Sequence, residues 1–232
     1  MMPAAADLTY ANAPPRYPAH LVASRRLPEG SSIVIRPIRP EDEAIEWAFI
    51  RGLSQDSAYN RLLSARKLTP EEIRQLTRID YEREMAFIAV AVDAGIERVL
   101  GDARYVRDAD GRGAEFAIVV ADAWQRRGAG TLLLNALLAH ARAAGIERLH
   151  GITLATNEVM HGLARKLGFV RKLDPQDASV RQLEKALSAV VLPVTVLAGH
   201  SNLLGAANDE GFAPCDPPLS PEPGADWKEK TG

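Results

Sequence analysis

Residues 118–131 read Ile-Val-Val-Ala-Asp-Ala-Trp-Gln-Arg-Arg-Gly-Ala-Gly-Thr. A β-branched run ends at Val120 and a short polar turn follows. Gln125-Arg126-Arg127-Gly128-Ala129-Gly130 then opens a helix predicted from Gly128 to about Ala144, with Leu133, Leu134, Leu137, Leu138 and Ala141 as its buried stripe and Gly145 as its stop. Glycines at such a turn let backbone approach a ligand closely. The free N–H groups of the first helical turn, at the positive end of the helix dipole, suit a diphosphate, and Arg126 and Arg127 add charged donors. A plain glycine-containing strand–helix turn has the same outline. Two nucleotide motifs do not fit: no Gly-Lys-Ser/Thr follows, and a dinucleotide fingerprint needs glycine where Leu133 stands.

Outward from this turn the chain alternates between two periods. Upstream, Met85–Val92, Val99–Val106 and Ala114–Val120 read as strands, the last two joined through a loop containing Asp110-Gly111. Before them lie a short strand at Ile33–Pro37, a helix at Glu41–Leu53, and a helix started by Thr69-Pro70-Glu71-Glu72, where Thr69 caps and Pro70 takes the first helical position. Downstream come a strand at Leu149–Leu154, a helix at Asn157–Leu167 ended by Gly168, and closing strands at Phe169–Leu173 and about Ser179–Leu187. Antiparallel hairpins followed by a β-α-β step predict a mixed α/β (α+β) fold rather than an all-parallel sheet.

Proline marks the expected boundaries. Of 15 prolines, five lie in residues 1–32 and six in 188–232. Both ends are expected to be mostly flexible, leaving one domain over residues 33–187. Within the tail, Ala189–Ala198 is apolar and β-branched, and it reads equally as an added edge strand or as a segment contacting a partner, such as the second copy of a homodimer. A net charge of −2 argues against a nucleic-acid binder. The single cysteine, Cys215, excludes a disulfide framework and a cysteine zinc site, and no histidine has a metal-spaced partner, so no metal is expected. No apolar stretch is long enough for a membrane span and no signal-type h-region opens the chain; the expectation is a cytoplasmic protein with no membrane partner.

Gln125-x-x-Gly128-x-Gly130 after a strand resembles the acyl-CoA diphosphate motif of the GNAT N-acetyltransferases. Ile33–Pro40 with Glu41-Asp42 is similar to that family's first strand entering its first helix. Asn157 with Leu167-Gly168-Phe169 is similar to its N…LGF signature. Ile79–Met85 and Ala114-Glu115-Phe116-Ala117 resemble the catalytic domain of bacterial Pat-type protein-lysine acetyltransferases.

The resemblance implies a mostly antiparallel sheet whose fourth and fifth strands splay apart to admit the pantetheine arm of acetyl-CoA. Ile118, Val119 and Val120 would offer backbone groups to that arm. Gln125, Arg126, Arg127, Gly128, Ala129, Gly130 and Thr131 would hold the diphosphate, and Asn157 would touch the cofactor from the opposite wall. Glu115 is the implied general base for direct acetyl transfer to an amine on a protein lysine or a small molecule, with CoA as product. The alternative role for Glu115 is an edge glutamate facing solvent or pairing with an arginine such as Arg104. Many relatives carry a tyrosine as general acid where this chain has Ala164. A domain that binds acyl-CoA without turnover would show the same cofactor motif. Of the remaining polar groups, His161 reads as a surface residue and Trp124 as packing for the turn. Arg165-Lys166 and Arg171-Lys172 read as a solvated face or an attraction for the cofactor's 3′-phosphate.

Overall fold

The computed structural model describes residues 17–63, 66–93 and 95–187. The expected tail, including the apolar segment 189–198, lies outside the described residues. Thirteen elements follow one another among them: β1 (Ala23–Arg26), β2 (Ser32–Pro37), α1 (Glu43–Arg51), α2 (Gln55–Leu62), α3 (Pro70–Thr77), β3 (Glu84–Asp93), β4 (Ile96–Arg107), β5 (Gly113–Val120), α4 (Ala129–Ala143), β6 (Arg148–Leu154), α5 (Glu158–Lys166), β7 (Val170–Leu173) and β8 (Val180–Ala186). The strands form one sheet in the order β1-β2-β3-β4-β5-β6-β8-β7. Every neighbouring pair is antiparallel except β5–β6.

Strand alternation sorts side chains onto two faces. Phe87, Tyr105, Phe116 and Leu149 face α4, whose Leu133, Leu134, Leu137, Leu138 and Ala141 are all buried against them. Val34, Ile88, Val90, Val99 and Val119 face the other way and pack with Phe49 of α1. The local signals produce the expected ends. Thr69 and Glu72 make a reciprocal capping box at α3. Asp110 Oδ1 accepts from the amides of Arg112 and Gly113 in the β4–β5 turn.

Two expectations need correction. Residues 17–32 are not a flexible lead-in: β1 pairs with β2, and Tyr17 and Leu27 are buried. Three of the four β1 side chains are exposed, so backbone pairing, not an apolar period, holds it there. The region before β3 also holds a further helix, α2, whose sequence Gln-Asp-Ser-Ala-Tyr-Asn-Arg-Leu has no apolar stripe to announce it. Its start is set by Ser54, whose hydroxyl accepts from the Ser57 amide.

Candidate active site

The parallel step between β5 and β6 is short. Gly113, Ala114 and Glu115 pair with Arg148, Leu149 and His150, and there the pairing ends. Beyond Glu115, β5 continues to Val120 on the arm of β4, while β6 continues to Leu154 on the arm of β8. The sheet therefore opens as a V with Glu115 at its apex. Gly151 sets the apex: a Cβ there would lie 2.8 Å from the Phe116 carbonyl oxygen, so any side chain would push the arms apart. The opening is a cleft of about 1150 Å³.

The predicted residues gather around it. Glu115, Ile118, Val119 and Val120 line one wall, Gln125, Arg126, Arg127, Gly128, Gly130 and Thr131 the end, and Asn157 the opposite wall. The Ala129 side chain does not line the cleft; it is fully buried in the core at the start of α4, so only its backbone is available there. Gly128 N-caps α4 with φ 100° and no side-chain cap. The first helical bond runs from the Leu132 amide to the Gly128 carbonyl at 3.1 Å, which leaves the preceding amides without helical partners. A glycine is required twice over at this cap, by its positive φ and by Pro28, which would sit 3.2 Å from a Cβ.

Side chains brace the turn. Gln125 Nε2 donates to the Val120 carbonyl (3.1 Å) and to Ser57 Oγ (3.0 Å). Asp122 accepts from the Ser54 amide and hydroxyl (3.0 and 2.7 Å) and from the Ser57 hydroxyl (2.8 Å). Burial pushes the Asp122 carboxyl up, but these hydrogen bonds outweigh it and hold it below the ordinary range. The missed helix α2 thus clamps the turn that carries the diphosphate motif. Ser54 followed by Asp56 is the cap signal that announces it. The Arg127 guanidinium lies 5.2 Å from the centre of the Trp124 ring, so Trp124 packs the loop as expected. On the far wall, Asn157 Oδ1 caps α5 by accepting from the Met160 amide. Of the four basic residues weighed for a 3′-phosphate, Lys166 lines the cleft, its Nζ 3.4 Å from Thr131 Oγ1, whereas Lys172 pairs with Glu184.

Glu115 is exposed, and no hydrogen bond or ion pair joins it to a described residue. Arg104 is engaged elsewhere: it pairs with Asp102 and donates to the Leu76 carbonyl at 3.2 Å. Beneath the α1–α3 layer this pair belongs to a buried charged cluster with Glu46 of α1. Both Glu46 carboxyl oxygens are buried without a hydrogen-bond donor. Burial, with the Asp102 carboxylate beside it, pushes the Glu46 pKa well above the ordinary 4.5, which favours its neutral form. Arg61 of α2 reaches the cleft from the edge of this cluster. His161 is buried rather than on the surface; its Nε2 meets the Ala155 carbonyl oxygen at 3.1 Å. Ala164 is packed in the core.

A strand that parts from its neighbour above a glycine-capped helix start is one motif; the whole domain around it is more decisive. The family profile described as "Acetyltransferase (GNAT) family" matches residues 42–169. The chain belongs to the GNAT acetyltransferases. An acetyltransferase of Pseudomonas aeruginosa is 34% identical over 154 residues, 66% of this chain and 83% of that protein. The acetyltransferase Pat of Mycolicibacterium smegmatis is 31% identical over 142 residues, 61% of this chain and 42% of that longer protein. Among solved structures, the GNAT domain of S. lividans PAT superimposes with a TM-score of 0.67 at 29% identity, over 74% of this chain and 99% of that one. The sheet, its splayed centre and its flanking helices are those of the GNAT fold, and the chain is an acyltransferase of the N-acetyltransferase type.

GNAT enzymes use acetyl-CoA, and the residues at the cleft suit it. The β5 edge beyond Glu115 has lost its β6 partner, the first-turn amides of α4 lack helical partners, and Arg127 and Lys166 supply positive charge near them. No helix among the described residues is long and apolar enough to cross a membrane, and no three His, Cys, Asp or Glu side chains there are grouped to hold a metal.

Proposed function

We propose that this GNAT domain acetylates lysine side chains of an acceptor protein, with Glu115 as the general base. The observation that carries the proposal is the position of Glu115: an exposed carboxylate, unpaired among the described residues, at the apex of the V where β5 and β6 separate. A lysine ammonium has an ordinary pKa of about 10.4 and cannot act as a nucleophile until it loses a proton. Glu115 takes that proton, directly or through one water.

When bound, acetyl-CoA supplies an acetyl group already activated as a thioester. Val119 turns its N–H and C=O toward β4, whereas Ile118 presents free backbone edge to the pantetheine arm, in the manner of an added strand. Val120 does so through its amide side only, since Gln125 occupies its carbonyl. The amides of Gly128, Ala129, Gly130 and Thr131 hold the diphosphate, aided by the helix dipole and by Arg126 and Arg127. Asn157 fixes the far wall by starting α5. Ala164 stands where many relatives carry a tyrosine acid, and the transfer does not depend on such an acid, because a thiolate is a competent leaving group near neutral pH.

The protein-lysine acceptor is supported by the likeness of residues 79–85 and 114–117 to Pat-type enzymes and by the similarity to the Pat proteins. Glu115→Gln tests the chemistry. Turnover is expected to fall by about 10²-fold or more, while CoA binding, followed by calorimetry, is retained. Unchanged turnover would remove Glu115 from the mechanism. Mass spectrometry of a lysate incubated with labelled acetyl-CoA tests the acceptor: label on lysines of a few proteins supports it, and label confined to small molecules overturns it.

A further inference from the structure

We infer that Arg61 binds a carboxylate that enters the cleft beside the reacting amine, carried either by the acceptor next to its lysine or by the acyl group. The inference deepens the proposed function and rests on it for the location of the amine. Arg61 stands in the last turn of α2, is half-buried, and lines the same cleft as Glu115. A guanidinium carries five N–H donors in a fixed fork. No described residue accepts a hydrogen bond from Arg61 or pairs with it within 4.0 Å.

The neighbouring carboxyl groups explain why it is left over. Asp102 is taken by Arg104, through a short Nη2 contact and a second from Nε at 3.3 Å. Glu46 lies in the same buried cluster, but its two oxygens are sealed from water without a donor, and a carboxyl so placed favours its neutral form. Arg104 and Asp102 balance each other. Arg61 and Glu115 remain, opposite in sign, and both open to the cleft.

That leftover pair is complementary to a ligand that itself carries both signs. Glu115 attracts the ammonium of an acceptor lysine and repels a carboxylate next to it. Arg61, on the α2 side of the same cleft, reverses that repulsion at one place only. The half-buried setting strengthens the effect: burial draws the guanidinium's pKa down, and the nearby Asp102, Glu46 and Glu115 carboxyls offset this only in part. A planar fork also favours a carboxylate bound through both oxygens.

Calorimetric binding separates the two sources of the carboxylate without requiring turnover. In the first arm, the capped peptides Gly-Glu-Lys-Glu-Gly and Gly-Gln-Lys-Gln-Gly are titrated into the full chain, with and without CoA. In the second, succinyl-CoA is compared with acetyl-CoA. The native protein is expected to prefer the acidic peptide, or succinyl-CoA, by about tenfold or more. In Arg61→Gln the preference is expected to shrink to within about twofold, and Arg61→Lys is expected to keep part of it. Circular dichroism confirms that each variant is folded; should Arg61→Gln not fold, Arg61→Lys and the loss of preference with rising salt in the native protein decide. A native protein with no preference in either arm, or a preference that survives in Arg61→Gln, overturns the inference. Failure of the native chain to bind CoA, or full turnover by Glu115→Gln, defeats the proposed function instead.

Discussion

The two faces of the sheet are built on different principles. Under α4 the contacts are mainly apolar, with the Tyr105 hydroxyl hydrogen-bonded to His140 Nδ1 (2.9 Å) among them: Leu133, Leu134 and Leu137 have no exposure and meet Met85, Phe87, Tyr105 and Leu149. Under α1–α3 an apolar patch around Phe49, Ile88 and Val90 shares the space with buried Glu46, Asp102 and Arg104. Glu115 and Arg61 belong to the second face, because Glu115 follows the alternation of Ala117 and Val119 along β5. The α4 face is a largely apolar scaffold, and the α1–α3 face holds the residues to which the proposed chemistry is assigned. Buried charge is costly unless paired, so the second face is the less forgiving of single changes.

The largest expected effect comes from breaking the ion pair of that face. Arg104→Met keeps much of the side-chain stem but leaves Asp102 buried without its cation and the Leu76 carbonyl without its donor. The loss is expected to be about 3–5 kcal/mol, measured by urea unfolding at pH 7. A loss below about 1 kcal/mol would mean that Arg61 or solvent replaces Arg104 freely, and the contrast between the faces would fail.

A cavity cut into the other face should cost somewhat less. Leu137→Ala in α4 removes a side chain with no exposure from the centre of the larger core. About 3 kcal/mol is expected, with CoA affinity nearly unchanged, since Leu137 lies away from the cleft-lining set. A fall in CoA affinity as large as the fall in stability would show that the α4 face is not merely a scaffold.

The same contrast explains what was legible in the sequence. The α4 stripe, the Asp110-Gly111 turn, the Thr69 cap and the Asn157 helix start are local patterns, and each appears where its residues predict it. The V at Glu115 was legible only through resemblance, because the end of β5–β6 pairing depends on β4 and β8 pulling the arms apart. Three features left no usable period. β1 is held by backbone pairing with exposed side chains. α2 is polar along its length and is held by Ser54 and Ser57 on Asp122, nearly seventy residues on in the chain. Glu46 sits between Ile45 and Trp47 in a helix where a glutamate ordinarily marks the wet side, yet it has no exposure. Its burial follows from where Asp102 and Arg104 fall on β4, which no window of sequence around residue 46 contains.

Glu46 also gives the contrast its pH dependence. Its folded pKa stands well above its ordinary 4.5, chiefly through burial and secondly through Asp102. A raised carboxyl pKa means that the folded chain holds a proton the unfolded chain has already released. The stabilisation from that proton is complete below about pH 4.5 and is lost as pH rises toward the folded value. Over that window native stability should fall by about 1.4 kcal/mol per pH unit from this group alone. Glu46→Gln keeps a donor of similar shape toward Asp102 and has no proton to lose. Urea unfolding of both proteins from pH 5 to pH 8 should therefore give nearly matching stabilities at the acid end and a growing advantage for Glu46→Gln toward the alkaline end. Parallel curves would mean that Glu46 is ionised in the folded protein. Arg61 would then be held by Glu46 rather than left for the cleft, and the charge balance assigned to the α1–α3 face would have to be redrawn around that pair.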